Sequence, residues 1–564
     1  MFIRKNKYRI RSVIVCLLLL CSSVIYGQSL YGDFPYEQSL LNGSVPDIEF
    51  PVSQQPASNP NQAAFLPNIG LQLTPASQYS FGAIFVDKRQ FSSGMGIKIE
   101  FEYMMYDGTG GDGMTMFLFD ASIPQNQLEI GAHGAGIGYA YNRSYNGIKE
   151  IKGQYIDFSK YRMKGLNGAY LGVALDEFGN YKGLRLQSDS RVNGIPYSGT
   201  FSGTTRGMKD GKYNTQNQVT LRAGKGPTFS TAGLGDRYTG YPVLITQSTN
   251  NRDTYLGNNT IPGFILDGAQ NPSKYDLITN YNGELFTISG GSHFTDPSDP
   301  AYRKAIIELF PAPRVNDQTD GFLVTVSIQH GQRTDVIISD YHYKEKFWYA
   351  ENAIPDGSGG DNNGDDLARL DPPQRELDAK IPSFLRIGFA AATGLQTNRH
   401  IIKHLKISLP RAAEADDDFA STNQNVSVSL LPLENDIAYD GPISKTQIGQ
   451  PHYIDVNTFR FRSIDGTVIT GDTYTDSDGN TWKFTYENAT SPMDRTVRVT
   501  LTPHPSFSGE AKIKYDILGG RFTPDPYADP AYRSLSATIT VEVIKSPIVY
   551  RNTISNKMVT IKMK

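Results

Sequence analysis

The sequence predicts an all-β chain made of antiparallel β-sandwiches. Short runs rich in Val, Ile, Thr, Tyr and Phe recur along it, and Gly, Asn, Asp and Pro bound them. The 54 Gly, 32 Pro and 33 Tyr residues favour short strands and turns, and no long stretch has the apolar period of a helix. Because 564 residues exceed one ordinary domain, we expect at least two.

The first 27 residues are expected to be a signal peptide. The apolar run 13–20 is too short for a stable membrane anchor, and small residues precede a predicted cleavage between Gly27 and Gln28. Acylation at Cys16 or Cys21 is the alternative, and the large residues before each cysteine disfavour it. The positive residues ahead of the apolar run are Arg4, Lys5, Lys7, Arg9 and Arg11.

Both cysteines lie in this segment, so we expect a mature chain without disulfides or thiol catalysis. Cleavage removes five basic and no acidic residues, which leaves 49 basic against 57 acidic residues, a formal charge of −8. That balance argues against nucleic acid as a partner. No second apolar segment could cross a membrane. We expect a secreted, extracellular or cell-surface protein, and the composition suggests a bacterial envelope.

Residues 28–75, rich in Ser, Asn, Gln and Pro, are expected to be a lead-in with one strand near 71–73. Residues 97–103 alternate apolar and charged positions, which predicts a half-buried strand. The glycine-rich segment 107–113 then delivers Asp112 into a buried strand, 114–119, although an ordinary Gly-Asp turn is the commoner structure for such a string.

A second glycine-rich segment, 131–139, has too many glycines for a stable strand and would let a ligand approach the backbone closely. It lacks the Lys-Ser/Thr pair and the following helix of a phosphate-binding loop. We interpret His133 as a loop histidine rather than a metal ligand.

The segment 171–181 opens as an apolar strand and ends in an acidic turn. Its Asp-x-Phe-x-Asn spacing brings the Asp176 carboxylate, the Phe178 carbonyl and the Asn180 amide within reach of one point. Hard oxygen ligands from alternate positions of a tight turn suit Ca²⁺. An ordinary turn after a strand is the alternative.

Four further segments are predicted to be strands: 218–222, 322–328 with a hairpin partner at 336–340, 385–392 and 405–409. The acidic segment 356–366 fails the EF-hand pattern, because Asp366 stands where that pattern has glycine and no glutamate closes the loop. We interpret it as a solvated excursion.

Four of these segments, in this order, resemble the L-type (legume-like) lectin family. They are Gly111-Asp112-Gly113 before its strand, Gly134 to Tyr139, Asp176-x-Phe178-x-Asn180, and Arg386 to Leu395 followed by His400 to Leu409. The resemblance covers roughly residues 60–410. It implies a concanavalin A-like antiparallel sandwich, or jelly roll, over residues 76–410, with a shallow sugar pocket at the loop end.

The resemblance also implies roles for particular residues. Asp112 would accept hydrogen bonds from sugar hydroxyls, and the Gly111–Asp112 peptide before it would be cis. A backbone N–H near Gly134 would donate to the sugar. Asn180 would bind both Ca²⁺ and sugar, and Gly394 and Leu395 would border the pocket. The metal ligands would be Asp176, the Phe178 carbonyl, Asn180 and Asp236, with Asp189 and Asp210 as alternatives to Asp236.

Two departures from the family pattern stand out. Ala174 occupies the position where plant members have a glutamate ligand for a second, transition metal, so we expect Ca²⁺ alone. The region is also longer than a bare lectin domain, and we expect segments 182–216, 226–300 and 340–380 to be elaborations.

A second domain is predicted over residues 413–545. It opens with Asp416-Asp417-Asp418, has an Asn435-Asp436 step and closes with a Thr-Pro, Phe-x-Gly and Tyr515 pattern. These features resemble bacterial Ig-like or cadherin-like adhesin repeats. Segment 476–480 is expected to be a hairpin turn rather than a metal loop, and residues 546–564 form a basic tail without an assignment.

The sequence therefore predicts a Ca²⁺-dependent glycan-binding lectin or adhesin rather than an enzyme. A glycoside hydrolase on the same sandwich would need two facing carboxylates, and the nearest candidate strand, Glu376-Leu377-Asp378, lacks a closing glutamate. A structural surface protein with a degenerate lectin domain is the other alternative.

Overall fold

The computed structural model separates the chain into two compact units. The first contains residues 38–96 and 100–405, and the second contains residues from 406 onward with 34–37 and 97–99. The predicted signal peptide and basic tail lie outside the described residues. Those are 32–141, 148–151, 154–157, 163–179, 181, 216–227, 229–231, 235–237, 240–250, 283–290, 296–312, 321–350, 374–410, 413–436, 454–487, 496–519 and 533–545.

Strands make up nearly all of the regular structure in the described residues up to 410. They are β1 (Tyr36–Gln38), β2 (Ile48–Glu49), β3 (Ala64–Leu66), β4 (Gly70–Thr74), β5 (Phe81–Val86), β6 (Phe91–Ser92), β7 (Ile97–Tyr106), β8 (Gly113–Asp120), β9 (Ile148–Ile151), β10 (Gln154–Asp157), β11 (Ala169–Asp176), β12 (Gln218–Ala223), β13 (Phe229–Thr231), β14 (Gly235–Arg237), β15 (Val243–Ser248), β16 (Arg303–Pro311), β17 (Phe322–His330), β18 (Arg333–Tyr343), β19 (Lys346–Ala350), β20 (Gln374–Asp378), β21 (Phe384–Ala392) and β22 (Arg399–Ser408).

Most of these strands belong to two large sheets. The first has the order β18-β17-β16-β7-β22-β4-β3, with β1 paired to β22, and the second has the order β15-β12-β11-β8-β21-β5-β2, with β6 paired to β21. Three separate two-stranded sheets, β9-β10, β13-β14 and β19-β20, accompany them. The predicted all-β class with an antiparallel sandwich is confirmed. Among the described residues, no helix has the length and apolar character needed to cross a membrane.

The burial of each strand follows its sequence pattern. In β7 and β17 apolar residues alternate with half-exposed polar ones, as predicted for strands with one covered face. In contrast, β8, β11 and β12 are buried on both faces. One face packs against the first sheet, where the rings of Phe101 and Phe389 lie 4.9 Å apart. The other is covered by the glycine-rich segment, whose Tyr139 packs over Gly172.

Residues 36–74 differ from the predicted lead-in. Besides β4, which lies at the predicted position, they supply β1, β2 and β3, and these strands join the two large sheets. The expectation of one strand was wrong because short edge strands need only backbone partners, so they leave no run of apolar residues in the sequence.

The second unit contains two four-stranded sheets around one core. The strands are β23 (Asp418–Asn423), β24 (Val428–Leu430), β25 (Ile454–Arg462), β26 (Thr473–Thr475), β27 (Thr481–Glu487), β28 (Thr496–Thr502), β29 (Gly509–Gly519) and β30 (Ala537–Ile544). The strand orders of the two sheets are β23-β30-β29-β25 and β24-β28-β27-β26. The core includes Trp482, Phe461 and Tyr515. The predicted turn at 476–480 joins β26 to β27 as an antiparallel hairpin.

A buried polar cluster occupies one end of this second core. The Tyr515 hydroxyl donates to Asp436 Oδ1 at 3.0 Å, and the same oxygen accepts the Asp416 N–H at 2.9 Å. Burial raises the pKa of Asp436 to about 7, and burial with the neighbouring aspartates also raises the pKa of Asp418 to about 7. Neutral carboxyl groups therefore suit this cluster better than ionised ones.

This cluster should make the second unit less stable as the pH rises. Both pKa values lie above the unfolded value near 3.8, so the folded state holds extra protons between about pH 4 and pH 7. The stability that they contribute is complete below pH 4 and is lost as the pH rises through 7. Asp436→Asn should stabilise the unit by about 1–2 kcal/mol at pH 8 and leave it nearly unchanged at pH 4.

Thermal unfolding followed by tryptophan fluorescence tests this expectation. A Trp348→Phe background leaves buried Trp482 as the one reporter, because the chain has 2 Trp. Equal destabilisation of Asp436→Asn at both pH values would contradict the assignment.

Candidate functional site

Four paired residues lie side by side across the second sheet, each at the end of its strand, and we call them the register row. Asp176 of β11 pairs with Gly113 of β8, Gly113 with Ala392 of β21, and Ala392 with Phe81 of β5. The segments that continue from these positions are 177–181, 107–112, 393–398 and 77–80. Because the four positions are neighbours in register, their loops emerge at one edge of the sheet.

Backbone hydrogen bonds hold loop 107–112 against loop 393–398. The N–H groups of Thr109 and Gly111 both donate to the Thr397 carbonyl, at 2.7 and 3.1 Å. In return the Thr397 N–H donates to Thr109 Oγ1 at 3.1 Å. Gly108 makes this approach feasible, since a Cβ there would lie 1.8 Å from the Thr397 oxygen.

These three hydrogen bonds, which we call the clamp, place Asp112 beside Gly394. Asp112 is 4% exposed, and a methyl group at Gly394 would lie 3.7 Å from its Oδ1 atom. A side chain at Gly394 would therefore contact this carboxylate directly. The Asp112 carbonyl also accepts the Phe178 N–H at 3.1 Å, which ties this residue to the loop after β11.

The predicted cis Gly111–Asp112 peptide is wrong. Within the described residues the one cis bond is Phe34–Pro35. Gly110 and Gly113, with φ values of +89° and +144°, instead provide the unusual backbone angles that this turn requires. The sequence showed that a sharp turn was needed, but not which bond geometry would produce it.

The carboxylate of Asp176 organises the loop that follows it. Asp176 is fully buried, and its two oxygens accept the N–H groups of Gly179 at 2.7 Å and Tyr181 at 2.9 Å. Arg222, also buried, donates from Nε to the Tyr181 carbonyl at 3.1 Å and lies over the Tyr181 ring. The loop is therefore wrapped around one carboxylate and supported from β12.

Glu177 and Asn398 join the loops of the candidate site, and the sequence analysis missed both. The Asn398 amide donates to Glu177 Oε2, which connects the loop after β11 to the loop after β21. Burial raises the pKa of Glu177 to about 7, against the hydrogen bonds from Ser289 and Asn398. The Asp-Glu step offered a signal for Glu177, whereas nothing local marks Asn398.

The glycine-rich segment brings an open backbone donor to the same region. Gly134 begins a short 3₁₀ turn with φ +64°, and a Cβ there would meet nothing within 4 Å. Its N–H makes no hydrogen bond to any described residue. The neighbouring His133 ring lies 6.0 Å from the Phe81 ring, at the end of the register row, and burial lowers the pKa of His133 to about 4.

Leu395 and Tyr79 form an exposed apolar rim beside Gly394. Leu395 is 68% exposed and Tyr79 is 59% exposed. The Tyr79 N–H donates to the Gly394 carbonyl at 3.0 Å, and Gln78 Nε2 donates to the Leu395 carbonyl at 3.0 Å. Tyr79 has a φ of +54°, which is strained for a residue with a side chain and is more often found at functional sites. The sequence analysis missed Tyr79, since positive φ has no signal in a tyrosine.

The structure describes part of the predicted Ca²⁺ site. The Asp176 carboxylate and the Phe178 carbonyl are hard oxygen donors, the type that Ca²⁺ takes. Asn180, Asp189 and Asp210 lie outside the described residues, as does the side chain of Asp236 in β14. In the parts of the chain that are described, no three His, Cys, Asp or Glu side chains are grouped to hold a metal ion.

The candidate carboxylates for a hydrolase lie elsewhere. Glu376 and Asp378 belong to β20, which pairs with β19 in a separate two-stranded sheet. Both side chains are exposed. They lie on neither large sheet.

No protein-family model matches the chain, and no curated protein matches it either. Three solved structures illustrate what it is similar to. The VIP36 exoplasmic/lumenal domain in its Ca²⁺/Man3GlcNAc-bound form has 10% sequence identity and a TM-score of 0.26, and the match covers 66% of this chain and 90% of that one. A lectin from Bauhinia forficata in complex with GalNAc has 11% identity and a TM-score of 0.26, with 66% of this chain and 99% of that one covered. The Emp46p carbohydrate recognition domain in its metal-free form has 10% identity and a TM-score of 0.27, with 66% of this chain and 95% of that one covered.

Gly108→Ala should separate the two clamped loops. The added Cβ would overlap the Thr397 carbonyl, a backbone atom that cannot rotate away. We expect a loss of about 2 kcal/mol in the free energy of unfolding, measured by chemical denaturation. Gly94→Ala is the matched control, because Gly94 is also exposed and its Cβ would meet only Ser92 Oγ at 3.8 Å. Equal stability of the two variants would contradict the clamp.

Tyr79→Gly should be more stable than Tyr79→Ala by about 1 kcal/mol. Both substitutions remove the ring, but only glycine adopts positive φ without strain. Thermal unfolding of the two variants measures the difference. If alanine is as stable as glycine, Tyr79 does not have the left-handed conformation.

Proposed function

We propose that this protein is a secreted or cell-surface carbohydrate-binding protein, a Ca²⁺-dependent lectin or adhesin, and not an enzyme. The observation that carries the proposal is the register row, which gathers Asp112, Gly394 and the Asp176 loop at one sheet edge. These are the segments whose order in the sequence resembles the L-type lectins. Their convergence is what a sugar pocket built from separate loops requires.

The pocket combines groups suited to a sugar ring. The buried Asp112 carboxylate would accept hydrogen bonds from two hydroxyls, because an ionised acceptor forms strong hydrogen bonds. The Gly134 N–H would donate to a ring or hydroxyl oxygen. Leu395 would contact the apolar C–H surface of the sugar, and the Tyr79 ring would extend that surface.

The residues proposed to hold Ca²⁺ are Asp176, the Phe178 carbonyl, Asn180 and Asp236. When bound, the ion would supply a fixed positive centre and no reaction chemistry. Asp176 would keep the loop wrapped, and Glu177 with Asn398 would connect it to the rim around Gly394. Asn180 would contact both ion and sugar, so its position before binding would set the affinity.

The second unit is proposed to be an Ig-like spacer that presents the sugar-binding unit away from the cell envelope. The predicted signal peptide supports export, and the lack of cysteines after residue 21 agrees with a fold stabilised by its core. A glycoside hydrolase and a degenerate structural protein remain the competing functions, and one experiment separates them from binding.

A glycan array probed with the mature chain tests the proposal. We expect binding in Ca²⁺, loss of binding in EDTA, and at least a tenfold loss for Asp112→Asn, because the amide replaces a charged acceptor. Tyr79→Gly and Tyr79→Ala should weaken binding equally, whatever their difference in stability. Gly94→Ala is the binding control.

The possible results are distinct. An absence of binding under every condition would favour the structural alternative. Binding that survives both EDTA and Asp112→Asn would place the site elsewhere, and release of reducing sugar from an array ligand would establish a hydrolase.

A further inference from the structure

Three arginines of the second unit converge on one buried carboxylate. Asp516 lies on β29, and its side chain is 1% exposed because the arginines cover it. Arg460 binds it through Nε at 2.8 Å and Nη2 at 3.2 Å, and Arg533 binds it through Nη1 at 2.7 Å. Arg462 donates to the second oxygen through its Nε. We call these four residues the Asp516 cluster.

The Asp516 cluster has more positive than negative charge. One carboxylate faces three guanidinium groups, which leaves two positive charges without a counter-charge inside the cluster. Burial and the nearby guanidiniums of Arg460 and Arg462 lower the pKa of Arg533, although Asp516 opposes this. Such an arrangement is costly, because like charges are held together where water screens them poorly.

The next basic residue lies directly alongside. Lys514 is the cross-strand partner of Arg462, an arrangement that places like charges opposite each other. Within the described residues Lys514 has no acidic side chain in ion-pair distance. Its charge helps to lower the pKa of Glu37, and Glu37 is itself paired with Lys406 at 3.7 Å. The basic surface therefore continues beyond the cluster.

The guanidinium groups retain unused donors that are fixed in direction. Arg460 uses Nε and Nη2 on Asp516, so its Nη1 has no acceptor among the described residues. Arg462 uses Nε on Asp516 and Nη1 on the Gly466 carbonyl, which leaves Nη2. Their side chains are 34% and 23% exposed, so these donors are accessible to a ligand. Asp516 already orders both side chains. A second anion would therefore bind without the entropy cost of ordering them.

We propose that the Asp516 cluster, together with Lys514, is a binding site for the carboxylate or sulfate groups of an acidic polysaccharide. The fork of an arginine matches the oxygens of such groups. The site is compact and suits single oxyanions spaced along a sugar chain. With residues 1–27 removed, 49 basic against 57 acidic residues give a formal charge of −8. The resulting repulsion disfavours nucleic acid, which needs a long run of phosphate contacts, more than a polymer held through single oxyanions. The site needs neither Ca²⁺ nor Asp112.

Binding of the mature chain to polygalacturonate, dextran sulfate and neutral dextran tests the proposal. Binding is measured by calorimetry in EDTA. The chain should bind one or both anionic polymers and not dextran, and about 0.5 M salt should abolish the binding. Preference between the two anionic polymers identifies the carboxylate or the sulfate. Equal or tighter binding to double-stranded DNA at the same charge concentration would overturn the assignment to a polysaccharide.

Three variants define the site. Arg460→Gln should weaken binding about tenfold, and Lys514→Gln about threefold. Lys514 makes no contact with Asp516, so its substitution tests the site even if Arg460→Gln fails to fold. Lys512→Gln is the matched control, because Lys512 lies two residues away on the same strand and is paired with Glu510 at 2.7 Å. Equal weakening by Lys512→Gln and Lys514→Gln would show diffuse attraction and refute the site.

Asp112→Ala separates this inference from the proposed lectin function. It should abolish Ca²⁺-dependent glycan binding and leave the anionic polymers bound with unchanged affinity. Loss of both activities in Asp112→Ala would contradict an independent site.

Discussion

The candidate site depends on the backbone register of the second sheet. Asp176, Gly113, Ala392 and Phe81 are neighbours across four strands, so the loops that leave these positions must emerge together. A shift of one residue in any of these pairings would turn the side chains of that strand to the opposite face. Both faces of β8, β11 and β21 are buried, so such a shift would exchange side chains of different size between two close-packed surfaces. Core packing thereby fixes the positions of residues that are far apart in sequence.

Glycine allows the loops to approach one another at this edge. At Gly108 an added Cβ would overlap the Thr397 carbonyl, and at Gly111 it would lie 2.7 Å from the Gln396 carbonyl oxygen. The same loops contain charged groups with little access to water, including Asp112 and Asp176. A buried carboxylate is tolerated only when N–H groups or a cation compensate for lost hydration. Asp176 receives two backbone N–H groups, which explains how this loop closes before any ligand is considered.

The second unit contains two groups of buried carboxylates in opposite electrostatic surroundings. Asp516 is surrounded by three arginines and has excess positive charge around it. Asp436 and Asp418 are buried beside a tyrosine hydroxyl and other aspartates. Burial and the neighbouring aspartates raise the pKa of both carboxyl groups. The first arrangement favours an additional anion, whereas the second favours protonation. Both belong to one small sandwich, where hydrophobic residues such as Trp482 and Phe461 must compensate for this electrostatic cost.

The sequence by itself determined the all-β class and most long strands, because apolar alternation and turn residues are local signals. It also identified Asp112, Asp176 and Gly394 as candidates. The edge strands in residues 36–74, the trans Gly111–Asp112 bond, the positive φ of Tyr79 and the hydrogen bond from Asn398 to Glu177 emerged only with the structure. The same holds for Arg460, Arg462 and Arg533, since β29 supplies the aspartate that they share. Tertiary structure decided these features because most of them depend on a partner distant in the chain, and short-range sequence patterns do not specify such partners.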